Sequence, residues 1–366
     1  MLTDTAPFHA GSTITDSRYF IGYQEQLDRI TARTIAAQPT SVNLIGDKRS
    51  GKSSLLYHFY QTYEQKIESR GKNPRKYLAV YLSLEQGNCQ QQHSFYRVVA
   101  EELRKIIKKR YNWFNQPRSL IEALEANNFD RGSFYQAIDK FQDAGILPIL
   151  CLDKIETLFR NPQEFDDGFY DNLRSLMDRN ALMLVIASEG SLTVYSKKKK
   201  LTSSFFDVGQ EIILSGLTDN EARDLVRLPQ TTIRDSQAVL NDQEQQRALD
   251  WGGKNPYLLQ LAGLYLWEAQ RYNNDINWAK KNFDRQARRI SARQYGWRNW
   301  LSFLKLVFLH SPAKLGEVVQ FIGNNVSVIS AWLMGTLIIV VPILAALGIL
   351  HWEDVLKVIK KALNIG

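Results

Sequence analysis

One stretch constrains this chain more than any other: Val42-Asn43-Leu44-Ile45-Gly46-Asp47-Lys48-Arg49-Ser50-Gly51-Lys52-Ser53-Ser54. It reads G-x-x-x-x-G-K-S, with an apolar run before it and Leu55, Leu56 and Phe59 after it. The two glycines let the backbone curl so that successive N–H groups converge on one anion, a conformation that side chains obstruct. The helix expected to start at the end of the loop adds its dipole and its unpaired amides. Lys52 then reaches the outer phosphates, and the Ser53 hydroxyl is a ligand for Mg²⁺. Within this stretch Gly46, Lys48, Ser50, Gly51, Lys52, Ser53 and Ser54 are the candidate nucleotide-binding residues. The order strand, loop, helix is the one the chemistry requires.

At 366 residues the chain has room for more than one compact unit, since domains usually hold about 100–200 residues. Apolar residues at 44% and charged residues at 23% are a globular balance and exclude a disordered chain. A net charge of +8 suits nucleic acid, anionic lipid or solubility alone. Cys89 and Cys151 lie in different segments without zinc-ligand spacing, which argues against a disulfide framework and fits a reducing interior. The N-terminus, Met1-Leu2-Thr3-Asp4-Thr5, lacks a basic region followed by an apolar one, so no cleavable secretory signal is expected.

Along the chain, residues 1–17 are small and polar and read as a flexible, extended lead. Leu27, Ile30 and Thr34 fall at helical spacing, giving a helix from Gln24 to about Ala37 that Pro39 stops. Tyr77–Leu84, Ile146–Asp153 and Ala181–Ser188 have the continuous apolar character of buried parallel strands, and Ile212–Leu214 is a short last one. Helices are expected over 93–112 and 131–143 and through Tyr170–Arg179. This alternation predicts an α/β fold, a three-layer αβα arrangement of P-loop NTPase type with a parallel sheet, over residues 18–215. Ligands of such sheets bind at the carboxyl ends of the strands, where Gly46, Ser83, Asp153 and Ser188 all fall. Asp153 ends a strand expected next to the one that feeds the loop, and is the second candidate for Mg²⁺ beside Ser53. The basic face of 93–112 reads either as a solvated surface or as a nucleic-acid patch. Lys197–Lys200 reads as a solvated loop. Thr218 and Glu221 have the spacing of a capping box. From there to about Arg293 the pattern is helical, broken at Trp251–Pro256, and reads as a lid with a basic juxtamembrane region over 216–300.

The C-terminal part has its own character. From Val318 to Leu350 there is no Asp, Glu, Lys or Arg, and Val326–Leu350 is nearly all apolar. About 20 such residues cross a bilayer core, so 326–350 is read as one transmembrane helix, preceded by a membrane-proximal segment 301–325 and followed by an amphipathic tail 351–366. The basic residues that precede it exceed those of the tail, which places the large N-terminal domain in the cytoplasm, as a single-pass protein of the inner membrane. Arg285, Arg288, Arg289, Arg293 and Arg298 then face anionic membrane lipids.

Several pieces in this order resemble the AAA+-related STAND-type ATPases of bacteria, which are themselves similar to archaeal and origin-recognition ATPases. They are Phe20-Ile21-Gly22-Tyr23-Gln24-Glu25-Gln26-Leu27, the loop Gly46–Ser54, Leu150-Cys151-Leu152-Asp153-Lys154-Ile155-Glu156, Leu173-Arg174-Ser175-Leu176, Leu214-Ser215-Gly216-Leu217-Thr218 and Gly252-Gly253-Lys254-Asn255-Pro256-Tyr257-Leu258-Leu259-Gln260. The resemblance implies an ATP- or ADP-bound switch with Mg²⁺, a lid that reads the phosphates, and self-assembly into a homo-oligomer that moves an attached effector. A protein partner, or less favourably nucleic acid, is the other expected contact. Gly22 and Tyr23 would flank adenine, and Ser188 would contact the γ-phosphate or end its strand. Relatives carry Asp-Glu where this chain has Asp153-Lys154. A charged lysine accepts no proton from water, which leaves Glu156 as the candidate base. Arg174 and Arg179 are either phosphate sensors for a neighbouring subunit or partners of local acids such as Asp171 and Asp178.

Overall fold

The computed structural model describes residues 6–86, 89–110, 117–125, 129–207, 209–228 and 238–294, with side chains to residue 288. The expected transmembrane helix 326–350, the segments 301–325 and 351–366, and the basic side chains from Arg289 onward lie outside the described residues. Among the described residues no helix is long and apolar enough to cross a membrane. The chain divides into two units, Met1–Ala287 and Arg288–Gly366. The fold described below is that of the first.

Five strands, β1 (Val42–Ile45), β2 (Tyr77–Ser83), β3 (Leu147–Asp153), β4 (Met183–Ser188) and β5 (Gln210–Ile213), pair in the order β2-β3-β4-β1-β5. Every pairing is parallel, with Ile45 opposite Ser188, Ser83 opposite Asp153 and Asp153 opposite Ala187. The carboxyl ends therefore share one edge. One expectation fails: the strand ending in Asp153 is not the neighbour of β1, because β4 lies between them.

Alternation along the strands divides the core in two. Leu78, Val80 and Leu82 of β2, Leu150 and Leu152 of β3, and Leu184 and Ile186 of β4 enter one cluster with α3 (Gln92–Arg110), α4 (Arg118–Glu125), α5 (Arg131–Asp143) and α6 (Asp167–Asp178). Aromatic rings fill it edge to face, as where Phe95 and Phe169 stand 5.4 Å apart at 80°. The alternate residues, among them Ala79, Ile149, Cys151 and Val185, are buried on the other face. There α2 (Lys52–Glu68) packs across β2, β3 and β4 and against α1 (Gln24–Thr34).

Two local features depart from the sequence pattern. α4 was not legible, since its eight residues are too few to show a period. Lys197–Lys199 are not loop but the last turn of α7 (Leu192–Lys199), with Lys200 closing it in the left-handed region. Lysine is a good helix former and its charge complements a helix C-terminus, so the run suits that place.

After β5, the helices α8 (Asp219–Val226), α9 (Asp242–Gly252) and α10 (Pro256–Arg271) pack on one another, and α11 (Ile276–Gln294) follows. Thr218 and Glu221 form the expected capping box on α8, and Asn241 with Glu244 forms a second on α9. Asn255 caps α10, accepting from the amides of Tyr257 and Leu258, with Pro256 at its first position.

The N-terminal segment, expected as a flexible lead, is packed down from Phe8 onward. The Phe8 ring is buried over Gly263 of α10, His9 N donates to Gln260 Oε1 at 2.9 Å, and Ile14 N donates to Ser54 Oγ at 3.0 Å. It is a strap from the lid helix to the loop helix. A β-carbon on Gly263 would sit 2.4 Å from Phe8 Cε1, so Gly263→Ala must expel the ring. The expected result is a loss of about 1–3 kcal/mol with faster proteolysis before Ile14, read by thermal denaturation and limited digestion.

Candidate nucleotide-binding site

The loop between β1 and α2 is shaped by close approaches. Gly51 heads α2 at φ 91°, and Arg49 stands at φ 66°. A β-carbon on Gly46 would lie 2.7 Å from Ser50 Oγ and 3.0 Å from Leu214 O, so the loop closes only with glycine there. Tyr23, itself left-handed at φ 57°, supports the loop from below by donating its hydroxyl to Ser50 O at 2.6 Å. Burial pushes that phenol well above its ordinary pKa. Gly22 packs against Leu217 of the lid connection.

Lys52 Nζ donates to the carbonyls of Gly46 at 2.7 Å and Asp47 at 2.8 Å. Burial lowers its pKa, opposed by Glu156, Glu189, Asp153 and Asp47. Ser53 Oγ donates to Asp153 Oδ1 at 2.9 Å, and Tyr81 OH donates to Asp153 Oδ2 at 3.0 Å. Asp153 is 3% exposed, and burial raises its pKa against the pull of those two hydroxyls and of Lys154 and Lys52. Although β4 separates β3 from β1, α2 crosses the sheet and carries Ser53 over to Asp153. Among the described residues there is no cluster of three or more metal-ligating side chains. One hydroxyl and one carboxylate are what Mg²⁺ takes from a protein when phosphate oxygens and water complete its shell, so the donor set fits.

A cavity of about 270 Å³ opens above the loop, lined by Gly51, Lys52, Ser53 and Ser54, by Lys154, by strap residues including His9 and Ile14, by Phe20 and Tyr23, and by Pro256, Tyr257 and Gln260 of the lid. The Arg49 guanidinium lies 4.1 Å from the centre of the Tyr257 ring, joining loop and lid. Lys48 leaves the cavity to pair with Glu189 at 3.3 Å.

The remaining candidates divide. Lys154 is left-handed at φ 60° and forms an ion pair with Glu85, in the turn that follows β2. That bend turns the chain so that Glu156 accepts from the Glu189 amide and, at 3.4 Å, from Tyr195 OH. Burial raises the Glu156 pKa. Glu156 therefore interacts electrostatically with Lys52 but does not line the cavity. Ser188 is fully buried, its hydroxyl within reach of Asn43 Oδ1 at 2.9 Å and Gly190 O at 2.8 Å, and is turned inward. Arg179 closes α6 at the opposite edge of the sheet and is held by Asp139 at 3.1 Å, Tyr135 and Gln142, so it is not brought to the loop of its own chain. Arg174 pairs with Asp178 at 2.9 Å. The sequence missed Tyr81, Glu85, Glu189, Tyr195 and the strap, and quoted Gln260 only as the end of a motif without a role; all reach the site through tertiary contacts.

The loop, the parallel sheet and the carboxylate at its edge define the class as a P-loop α/β protein. The chain matches the AAA-like domain family over residues 8–280 and belongs to it. Among solved structures it is similar to the ORC2 protein of Aeropyrum pernix in its ADPNP–ADP complexes, with 14% identity and a TM-score of 0.50 over 75% of this chain and 72% of that one. It is also similar to the A. pernix ORC1 protein in complex with DNA, with 14% identity and a TM-score of 0.46 over 83% and 72% of the two chains. The Walker-type ATPase of Pyrococcus abyssi gives 14% identity and a TM-score of 0.48 over 81% and 78%. At such identities the likeness concerns the fold. No curated protein sequence matches the chain.

The raised pKa of Asp153 has a direction for stability. In the folded protein the acid binds its proton more tightly than in the unfolded chain, whose value is about 3.9, so its contribution falls as pH rises through and above that value. Asp153→Asn is therefore expected to raise the melting temperature of the ligand-free protein at pH 7, with the difference vanishing toward pH 4. The same variant is expected to lose the Mg²⁺-dependent part of ATP affinity, measured by calorimetry with and without the cation.

Proposed function

We propose that this protein is an ATP-binding switch that holds ATP or ADP with Mg²⁺ between loop and lid and turns ATP over slowly. The observation that carries the reading is Lys154. It occupies the position after the buried Asp153, lines the cavity, and brings a cation where water activation needs a base. Glu156 is engaged by the Glu189 amide and Tyr195 OH, so it serves as a base only after releasing them. Such a site favours binding the triphosphate over cleaving it.

The finer reading is a STAND-type switch. Its ATPase domain assembles into a homo-oligomer, and the uncharged run 326–350 tethers it to the inner membrane, with the N-terminal domain cytoplasmic and anionic lipids as partners. This rests on sequence alone. Moving a population from 1:99 to 99:1 takes about 5.5 kcal/mol, which several nucleotide sites in one assembly can share. The alternative is a nucleic-acid-binding ATPase resembling origin-recognition proteins, with the basic face of α3 as its surface; there Arg104 and Lys108 pair with Glu125, Lys105 with Glu102 and Arg110 with Glu64, and surface pairs of this kind are weak enough to yield to phosphates.

The full chain in mild detergent is expected to grow into a defined oligomer with ATP or a non-hydrolysable analogue and not with ADP, read by light scattering. A monomer under all three conditions would sink the assembly. Lys52→Ala is expected to weaken ATP binding by about 10–100-fold, the loss of charge-assisted contacts. Lys154→Glu is expected to raise phosphate release by at least about tenfold, within the range general bases supply. An unchanged rate would remove Lys154 as the cause of slow turnover.

A further inference from the structure

The lid side of the cavity carries two polar groups that the protein leaves unpaired. Gln260 is 3% exposed, and its Nε2 has no hydrogen-bond partner among the described residues. Tyr257 is 8% exposed, and its hydroxyl is likewise buried without a partner there. Both residues line the cavity, and three positions apart in α10 they lie on one face of the helix. A buried donor left unmade costs free energy that an apolar residue of the same size would not, so two such groups at one cavity point to a ligand.

The orientation of the Gln260 amide is settled by the strap. His9 N–H donates to Oε1 at 2.9 Å, which identifies that atom as the carbonyl oxygen and the other as the NH₂. Phe8, wedged over Gly263 one residue earlier, holds the strap in that register. Around the two polar groups the cavity is apolar, with Ile14, Phe20, Ile21 and Leu225 in its wall. The phosphate end, by contrast, is defined by Lys52 and Ser53. The cavity thus has a cationic end and an apolar end with hydrogen-bond donors.

We propose that Gln260 reads the nucleobase. With its carbonyl committed to the strap, its NH₂ donates to an acceptor on the edge of a purine, and the Tyr257 hydroxyl makes the second contact. The proposal rests on the cavity being a nucleotide site and adds which side chain recognises the base. It also makes the strap the element that aims Gln260.

The test separates base from phosphate. Binding of Mg²⁺-ATP and of Mg²⁺-tripolyphosphate is measured by calorimetry on the full chain in mild detergent, for the natural protein and for Gln260→Met, Gln260→Glu and Tyr257→Phe. Gln260→Met keeps the volume and removes the donor together with the acceptor of His9 N–H, and ATP affinity is expected to fall about tenfold with tripolyphosphate unchanged within about twofold. Gln260→Glu keeps an acceptor for His9 N–H but turns a donor into an acceptor, and is expected to lose at least as much for ATP alone. Tyr257→Phe removes only an unpaired hydroxyl, so it is expected to melt no lower than the natural protein while losing severalfold in ATP affinity.

Unchanged ATP binding in all three variants would overturn the proposal. So would equal losses for ATP and tripolyphosphate, which would make Gln260 a support of the lid. If the natural protein binds tripolyphosphate as tightly as ATP, base reading fails while the phosphate site stands. If it binds neither, both fall together.

Discussion

A carboxylate kept from water is the constraint on which the site depends. Asp153 is buried at the carboxyl edge of the sheet, and two hydroxyls, Ser53 from the first turn of α2 and Tyr81 from β2, are what hold it there. Burying a charge is costly, and here burial outweighs the pull of the two hydroxyls and of Lys154 and Lys52, so the carboxyl's pKa rises. The same two bonds tie loop helix, β2 and β3 together across an intervening strand. A divalent cation with phosphate would convert the unfavourable charge into the strongest local attraction, so the site is less stable without its ligand than a neutral replacement would be.

Around that point each lysine has a partner of its own. Lys48 goes to Glu189, Lys154 to Glu85, and Lys52 to the carbonyls of its own loop. Lys154 and Glu156 flank a single turn of backbone whose left-handed residue is the lysine itself. Non-glycine residues seldom adopt that conformation, and here it is what sends the two side chains to different places. One residue therefore both supplies the cation and determines where the neighbouring acid stands.

Much of the fold was legible because buried parallel strands are continuous apolar runs, and β1 to β4 were recognisable as such at nearly their observed limits. The capping box at Thr218 was equally legible, because its chemistry is local. Strand order was not. Nothing in Ala181–Ser188 says that it inserts between β1 and β3, since order is decided by which helix crosses which face. α4 escaped for want of length, and the Lys197–Lys199 turn because charge runs carry no periodicity. In the site, the loop and Asp153 were readable from spacing, whereas Tyr81 and Glu85 come from segments with no motif of their own, and Gln260 ends a motif that gave no sign of its side chain's role.

The strap joins the lid to the loop helix. It is fastened at one end to the lid through Phe8 and His9 and at the other to the loop helix through Ile14, with the cavity beneath it. His9 and Ile14 are at once the points where the strap is fastened and part of the cavity wall. Loosening either fastening therefore reshapes the cavity as well as freeing the segment.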